Sequence, residues 1–360
     1  MDLPALPPRD PTGHKGTFGT VAVVGGCAVQ REGAARMVGA PLLAGRGALR
    51  SGAGLVRILM PEPLLNASLA AFPWATGVAL PVDAEGEIIG HEAAAELDRQ
   101  LASATALVIG PGLGSVDSAS PPSEPVDVIR DAADRGRRHL AGGPSAMVLR
   151  AASQEDVPVV LDADGLNLLA AIPEFWREIR GRVIITPHPG EYRRLAAALG
   201  INADPVEPAA RPGAAEQMAQ RLGVIVVLKG AGTVVSDGHR TWVCSRGHAC
   251  MATGGTGDVL SGIIGGLVAQ FGPSGEDAAK AAMLAAVPEK YRKAMDSLSA
   301  KVQAGKKATA RNTLDLFDAA RLGVEIHARA GEAWASRHGQ AGLLATELAD
   351  EVPGVMDAMR

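Results

Sequence analysis

Short apolar segments alternate with alanine-rich helical segments along most of this chain. Six segments are nearly continuous aliphatic runs, as expected of strands covered on both faces of a parallel sheet: Thr20–Val24, Leu55–Met60, Ala106–Ile109, Pro158–Leu161, Val183–Thr186 and Val224–Leu228. Helices are predicted at Gly33–Arg50, His91–Leu101, Gly165–Ala171, Glu191–Leu199, Ala214–Leu222, Gly257–Gln270 and Phe317–Ser336. Asp237-Gly238 predicts a hairpin between Thr233–Ser236 and Thr241–Cys244. The alternation predicts a doubly wound α/β fold, with a mostly parallel sheet flanked by helices on both faces.

Two segments interrupt this alternation. Ser115–Pro125 is rich in serine and proline and is predicted to be a surface loop. Glu276–Asn312 is charged and rich in alanine and lysine, and is predicted to add helices outside the sheet. No linker is long enough to force a second domain, so residues 1–360 are predicted to form one domain.

Composition and charge narrow the function classes. Aromatic residues make up only 3% of the chain and the formal net charge is −4, which argues against a nucleic-acid binder. The three cysteines, Cys27, Cys244 and Cys250, lack metal-ligand spacing and favour a reducing compartment over a disulfide framework. Without a signal-peptide pattern or an apolar stretch of roughly 18 residues, the chain is predicted to be cytoplasmic and not membrane-bound.

The segment Met251–Asp258 carries the strongest chemical signal. It places three glycines and two threonines directly before an apolar helix. Glycines at a helix N-terminus expose backbone N–H groups, which suit a phosphate or a developing anion. Asp258 follows in the first helical turn, where it can act as a base or simply cap the helix. Capping alone does not need three glycines, so a functional role is favoured.

A second glycine turn, Gly110–Gly114, follows a predicted strand. It sits at the carboxyl edge of the sheet, where open α/β sheets bind ligands, although a purely structural turn explains it equally well. Neither glycine segment is a known nucleotide fingerprint. No Gly-Lys-Ser/Thr follows as in a Walker A loop, and the third glycine of the dinucleotide fingerprint is missing.

Three further strand ends carry polar side chains. Lys229 opens a glycine turn, Lys229–Thr233, from which it can reach a phosphate or merely extend into solvent. His188 lies between two prolines and is either a ligand-binding or a structural residue. Asp162 and Asp164 follow another strand, where a magnesium or substrate contact competes with helix capping at Asp164.

Taken in order, these segments resemble the ADP-dependent NAD(P)H-hydrate dehydratases, a family with the ribokinase-like fold. The resemblance covers most of Lys15–Gln270 and resumes from Asp315 to the C-terminus. It is carried by seven motifs, each modest alone but specific in this order: Lys15–Gly19, Gly47–Gly54, Gly110–Gly114, Leu161–Asn167, Thr186–Glu191, Leu228–Thr233 and Ala252–Gly262.

The resemblance implies repair of the (6S) hydrates of NADH and NADPH, termed NADHX and NADPHX. ADP with Mg²⁺ would phosphorylate the C6 hydroxyl, and loss of phosphate would restore NAD(P)H and leave AMP. Asp258 would be the catalytic base and would also contact the substrate. The nucleotide would be bound by Lys229, Gly230, Ala231, Gly232, Thr233, Gly254, Gly255, Thr256 and Gly257. Ala44, Gly114 and His188 would line the hydrate pocket, and Mg²⁺ would be held through the phosphates rather than by assigned protein ligands.

The chain departs from the family pattern in three places. Gly247-His248-Ala249 stands where the family usually has Gly-Asn-Pro, and an atypical insertion is predicted at about residues 272–313. The epimerase domain often fused N-terminally in the family is expected to be a separate protein. By resemblance, the protein is expected to be a homo-oligomer, specifically a tetramer.

Two alternatives remain at this stage. A vitamin-precursor kinase of the same fold, acting on a hydroxymethylpyrimidine, a thiazole alcohol or pyridoxal, would use the same glycine turn and Asp258. A nucleotide sensor without turnover would keep the glycine turn but would not need a carboxylate beside a polyphosphate.

Overall fold

A computed structural model describes residues 2–30, 35–114, 143–273 and 314–360 of the protein. One nine-stranded sheet organises them, in the strand order 3-2-1-4-5-6-7-8-9. The strands are β1 (Thr20–Val24), β2 (Leu55–Pro61), β3 (Thr76–Leu80), β4 (Ala106–Ile109), β5 (Val159–Leu161), β6 (Val183–Ile185), β7 (Ile225–Leu228), β8 (Val234–Ser236) and β9 (Thr241–Val243). Strands β1 to β7 pair in parallel, and β8 and β9 are added antiparallel at one edge. The predicted mostly parallel sheet is confirmed.

Helices cover both faces of this sheet. They are α1 (Gly39–Arg50), α2 (Glu62–Ala71), α3 (Gly90–Leu101), α4 (Gly143–Ser153), α5 (Asp164–Ala171), α6 (Pro189–Leu199), α7 (Arg211–Leu222), α8 (Thr256–Phe271), α9 (Leu316–His338) and α10 (Ala345–Ala358). The alternation of the central strand β1 shows why two layers form. Val21 and Val23 belong to the core that contains α1, α8, α9 and α10, while Ala22 and Val24 belong to the core that contains α3 to α7. Every residue of β1 is buried, so the strand is apolar throughout instead of alternating with polar residues.

The strand order reverses between β1 and β4, because β2 and β3 lie on one side of β1 and β4 to β7 on the other. At such a switch point the connections that follow the strands diverge and leave a crevice at the carboxyl edge. The segments after β4, β5, β6 and β7 therefore come together at one edge of the sheet.

The predicted helix Gly33–Arg50 is wrong at its start. Residues 35–38 are not helical, and Met37 instead forms a β-bridge with Cys27. Helix α1 begins at Gly39 because Pro41 lies in its first turn, and a proline ring excludes the helical carbonyl four residues earlier.

The sequence analysis also missed β3, α2, α4 and α10. Strand β3 is an edge strand with mostly part-exposed residues, so it lacks the apolar run of the central strands. Helix α10 contains Pro353, and an internal proline is unusual in a helix. The predicted loop Ser115–Pro125 and the predicted helices within Glu276–Asn312 lie outside the described residues. In the ranges that are described, no helix is both long and apolar enough to cross a membrane.

The two described ends that flank residues 274–313 lie side by side. The backbone N–H of Leu314 donates a hydrogen bond of 2.8 Å to the carbonyl oxygen of Phe271, the last residue of α8. The chain therefore returns to the point where it left, and α9 packs against α8.

Candidate active site

A largely buried ion pair joins the carboxyl ends of strands β5 and β7, which lie on either side of β6. Lys229, which follows β7, places Nζ 2.6 Å from Oδ1 of Asp162, which follows β5. Thr186, at the end of β6, donates a hydrogen bond of 2.6 Å to the same carboxylate oxygen. Oδ2 of Asp162 is buried and has no hydrogen-bond partner among the residues that the structure describes. One oxygen of this carboxylate is thus held by the fold, and the other remains available.

Glu191 adds a second carboxylate to the cluster. It lies in the first turn of α6, is 4% exposed, and places Oε2 3.8 Å from Nζ of Lys229. Burial raises the pKa of Glu191 to about 7, against the opposing effect of Lys229. For Lys229 the balance is reversed. Burial opposes its charge, but Asp162 and Glu191 outweigh burial and raise the pKa of Lys229 above its ordinary value. Lys229 therefore remains a cation beside two carboxylates.

Asp258 meets this cluster from the first turn of α8. Burial, together with the charge of Asp162, raises the pKa of Asp258 to about 8, while Lys229 acts in the opposite direction. In the same turn of α8, a Cβ atom at Gly257 would lie 3.5 Å from Nζ of Lys229, so the N-terminus of α8 faces the strand ends. A carboxylate with a pKa near neutral pH is suited to accept a proton from a substrate hydroxyl.

The glycine turn before α8 is open on its outer side. Gly254 is exposed, and a Cβ atom there would meet no other atom within 4 Å. A Cβ atom at Gly257 would lie 3.5 Å from Nζ of Lys229, so this part of the turn borders the ion pair. The Thr256 hydroxyl bonds within the turn, to the carbonyl oxygens of Met251 (3.0 Å) and Thr253 (3.1 Å). Thr256 therefore contributes backbone rather than its hydroxyl to the site.

The predicted nucleotide loop Lys229–Thr233 lies beside the same cluster and is held by Arg211, which the sequence analysis missed. The buried guanidinium of Arg211 donates to the carbonyl oxygens of Leu228 (2.8 Å), Lys229 (3.2 Å) and Gly232 (3.4 Å). No sequence signal marks Arg211, because the loop atoms that it contacts are backbone atoms 17 to 21 residues further along the chain. Within the loop, Gly230 adopts a φ of +144°, and the Thr233 hydroxyl donates to the Gly230 carbonyl.

His188 and Gly114 lie at the same edge. The backbone N–H of Gly114 donates a hydrogen bond of 3.0 Å to Oδ2 of Asp164. His188 caps α6: its Nδ1 accepts from the N–H of Gly190 (2.9 Å), and its backbone N–H donates to Glu191 (2.7 Å). Burial and the neighbouring charge of Lys229 hold the pKa of His188 below its ordinary value. His188 thus has a structural role as a cap, and its 52% exposed side chain can also meet a ligand.

Asp162 and Asp164 are separated by a strained residue. Ala163 has φ +50° and ψ −126°, a combination that L-residues rarely adopt. Such strain costs on the order of 1–3 kcal/mol and is concentrated at functional sites. The strained residue lies where the chain turns two carboxylates toward the carboxyl edge of the sheet.

Ala44 and His248, two positions singled out from the sequence, both have structural roles. Ala44 is fully buried in α1, and its carbonyl oxygen lies 1.9 Å from where a Cβ atom of Gly262 would be, so it packs α1 against α8. Its role in substrate binding stays a prediction. His248 caps the 3-10 helix Ala249–Met251 by accepting a hydrogen bond of 3.2 Å from the N–H of Cys250. It therefore has a local structural role where the family pattern has a different residue.

Comparison with known proteins agrees with the sequence motifs. Residues 31–354 match the family model described as NAD(P)H-hydrate dehydratase. The ADP-dependent (S)-NAD(P)H-hydrate dehydratase of Xanthomonas campestris is 31% identical over 99% of this chain and 94% of its own length. The bifunctional NAD(P)H-hydrate repair enzyme of Coxiella burnetii is 34% identical over 96% of this chain but only 52% of its own length. The chain thus spans about half the length of the bifunctional relatives that it matches.

Solved structures confirm the ribokinase-like fold. The ADP/ATP-dependent NAD(P)H-hydrate dehydratase of Bacillus subtilis, crystallised with ATP and Mg²⁺, superposes with a TM-score of 0.64 at 26% identity. That similarity covers 99% of this chain and 95% of the other. A ribokinase-like superfamily protein of Enterococcus faecalis gives a TM-score of 0.63 at 21% identity, over 99% of this chain and 92% of the other.

Proposed function

This chain belongs to the NAD(P)H-hydrate dehydratase family, and from that premise we propose that it performs the ADP-dependent dehydration of (6S)-NADHX and (6S)-NADPHX. The proposed reaction converts the hydrate and ADP into NAD(P)H, AMP and phosphate. Its chemical logic is that hydroxide is a poor leaving group. Once the C6 hydroxyl carries a phosphoryl group, the C–O bond breaks with phosphate as the leaving group, and loss of a proton restores the double bond.

The observation that carries this proposal is the position of Asp258 between an open glycine turn and Lys229. We propose that the carboxylate of Asp258 accepts the proton of the C6 hydroxyl as that oxygen attacks the β-phosphorus of ADP. The N–H groups of Gly254–Gly257 would hold the transferring phosphoryl group, and Lys229 would offset its charge. Backbone N–H groups and a lysine would both stabilise the negative charge of the phosphates. Positioning and charge stabilisation of this kind accelerate phosphoryl transfer.

We propose that the AMP portion lies along Lys229–Thr233, the loop that Arg211 supports. Its glycines leave room for close approach of a ligand to the backbone, although the Lys229 N–H itself already donates to the carbonyl oxygen of Pro187 (2.8 Å). We propose that His188 and Gly114, which lie at the same edge of the sheet, contact the hydrate. In this proposal ADP and the hydrate meet at Asp258.

We propose that Mg²⁺ enters with the nucleotide phosphates. Among the described residues, no three His, Cys, Asp or Glu side chains are placed to share an ion. Mg²⁺ in nucleotide sites is commonly held by one or two carboxylates together with phosphate oxygens, and the unpartnered Oδ2 of Asp162 is a suitable donor. When bound, the ion would offset phosphate charge.

We further propose that the protein acts in the cytoplasm as a homo-oligomer, specifically a tetramer, and that a separate epimerase supplies the (6S) epimer. The existence of bifunctional repair enzymes among the relatives supports a functional link of this kind. Light scattering coupled to gel filtration would measure the oligomeric state directly.

The test is a product assay with purified protein, NADHX and Mg²⁺, with ADP or ATP as the phosphoryl donor. We expect NADH absorbance to recover with ADP, with one AMP and one phosphate formed per NADH, and recovery with ATP to be slow. Asp258→Asn serves as the matched negative control. A stable phosphorylated product would instead indicate a kinase, and no NADH recovery with either nucleotide would refute the proposal.

A further inference from the structure

His327, on α9, contacts the backbone at the N-terminus of α8. It lies in the middle of α9, and its Nε2 is 2.8 Å from the carbonyl oxygen of Thr256, the first residue of α8. A carbonyl oxygen can only accept a hydrogen bond, so Nε2 must carry the hydrogen. Burial lowers the pKa of His327 to about 4, with a further lowering effect from Lys229. The ring is therefore neutral at physiological pH, with a defined tautomer.

The Thr256 carbonyl and the Gly257 N–H belong to one planar peptide group. A hydrogen bond to the carbonyl oxygen fixes the plane of this group and polarises it, which makes the N–H on the other side a stronger donor. Such cooperative strengthening is about 10–30% per bond. The N–H of Gly257 lies in the first turn of α8, where it has no partner within the helix, and Gly257 borders Lys229.

We propose that His327 is a positioning residue for phosphoryl transfer, which orients and polarises the Thr256–Gly257 peptide group so that the Gly257 N–H faces the transferring phosphoryl group. This inference rests on the proposed function of the Asp258 site. It assigns to α9, which lies far along the chain from the glycine turn, a part in the reaction beyond covering the core.

Helix α9 has several contacts with the rest of the protein besides that of His327. Glu332 accepts a hydrogen bond of 3.0 Å from the N–H of Gly247, and the Cys250 thiol lies 3.5 Å from the carbonyl oxygen of Gly331. Several apolar residues of α9, including Phe317, are buried in the same core as α8. Replacing His327 should thus alter one hydrogen bond and leave the helix in place.

The kinetic test compares two substitutions at this position. His327→Leu removes the donor, and His327→Gln keeps an N–H donor at a similar distance from the backbone. We expect His327→Leu to lower kcat at least about tenfold, while the Kd for ADP changes less than about threefold, because the oriented N–H acts mainly in the transition state. His327→Gln should recover most of kcat. The matched control is His338→Leu on the same helix, where the ring stacks on Trp334, and it should behave like the parent.

A spectroscopic test reads the peptide group itself, without turnover. Labelling threonine with carbonyl ¹³C and glycine with ¹⁵N selects the Thr–Gly pairs of the chain in an HNCO spectrum: Thr12–Gly13, Thr76–Gly77, Thr253–Gly254 and Thr256–Gly257. In His327→Leu, the Thr256–Gly257 signal should move in both the carbonyl and the amide-proton dimensions, and His327→Gln should restore most of its position. The Thr12–Gly13 and Thr76–Gly77 signals should stay in place.

The outcomes separate the two proposals. An inactive parental protein would refute the proposed dehydratase function. The positioning role would be overturned by an unchanged Thr256–Gly257 signal or by a parental kcat in His327→Leu. It would also be overturned if His327→Gln lost as much kcat and as much melting temperature as His327→Leu.

Discussion

Two glycine turns lie at the carboxyl edge of the same sheet, and they are built for opposite reasons. In the turn after β4, Gly110 has a φ of +125°, and a Cβ atom there would lie 1.8 Å from the carbonyl oxygen of Asp162. In the turn before α8, Gly254 does not adopt a positive φ, and a Cβ atom there would meet no other atom within 4 Å. The first turn is closed by the protein's own backbone, and the second leaves space that nothing in the described protein fills.

The difference shows how a glycine pattern should be interpreted. In both turns, the sequence has glycines clustered next to the end of a strand or a helix. In Gly110–Gly114, the glycine lets the segments after β4 and β5 pack closely, so that Asp162 and Asp164 are turned toward the site. In Gly254–Gly257, Gly254 keeps the outer side of the turn open, whereas Gly255, with a φ of +88°, packs against Leu43. The turn after β4 supports the site, and the turn before α8 forms part of it.

The largest effect that the comparison predicts is on stability at the closed turn. Gly110→Ala forces a left-handed backbone on alanine and a clash with the backbone of Asp162, so the free energy of unfolding should fall by about 4 kcal/mol or more. Urea unfolding followed by circular dichroism measures this loss, with Gly254→Ala as the control. A Gly110→Ala protein with nearly parental stability would show that this turn is not closed as described.

The second effect concerns catalysis at the open turn. Asp258→Asn keeps the size of the side chain but cannot accept a proton at neutral pH, so kcat should fall at least about 100-fold, equivalent to about 2.7 kcal/mol in barrier height. Stopped-time assays of NADH recovery measure kcat. The Kd for ADP should hold or improve, because a carboxylate beside the phosphates has been removed, and the melting temperature should change little. If the folded variant kept a parental kcat, Asp258 would be only a helix cap.

A third, smaller effect would separate the two turns directly. Gly254→Ala places a methyl group in the open space, so stability should stay within about 0.5 kcal/mol of the parent. The same methyl group should crowd the phosphoryl group and lower kcat/KM for ADP about tenfold, or about 1.4 kcal/mol. Unfolding and steady-state kinetics on one preparation suffice. Lost stability with unchanged kinetics would mean that the Gly254 turn is structural like that at Gly110.

The smallest effect is a pH dependence that arises beside the open turn. Asp258 and Glu191 have folded-state pKa values of about 8 and about 7, both raised above the ordinary carboxyl values by burial. The folded protein therefore binds more protons than the unfolded chain, and stability is lost as pH rises through about 7 and 8. The melting temperature should fall modestly between pH 6 and about pH 9, and less so in Asp258→Asn. A melting temperature that rises over this interval would contradict the direction of these shifts.

The sequence predicted the parts of the fold that its local pattern controls. The buried strands were located to within one or two residues, because parallel strands covered on both faces must be apolar throughout. Strand β3 was missed since an edge strand lacks this requirement, and α10 since Pro353 interrupts its pattern. The mostly parallel, ribokinase-like architecture followed from the order of the motifs and is confirmed.

The site could be predicted only where its residues form local motifs. Asp258, Lys229 and His188 stand in short glycine- or proline-rich segments at element ends, and the structure brings all three to one edge. Arg211 and His327 act on backbone carbonyls distant in sequence, and such contacts leave no local pattern. Ala44 is buried between helices, and its role in the hydrate pocket stays a prediction.

The hydrogen bond between Leu314 and Phe271 has a consequence for the length of the chain between them. Where two ends of a segment meet, the entropy of closing the loop between them grows only slowly with the length of that loop. A longer or shorter segment between Phe271 and Leu314 would therefore add little to the entropic cost of folding. The same junction is a natural place to graft a reporter or an affinity tag, since a guest sequence with adjacent termini would replace the native segment.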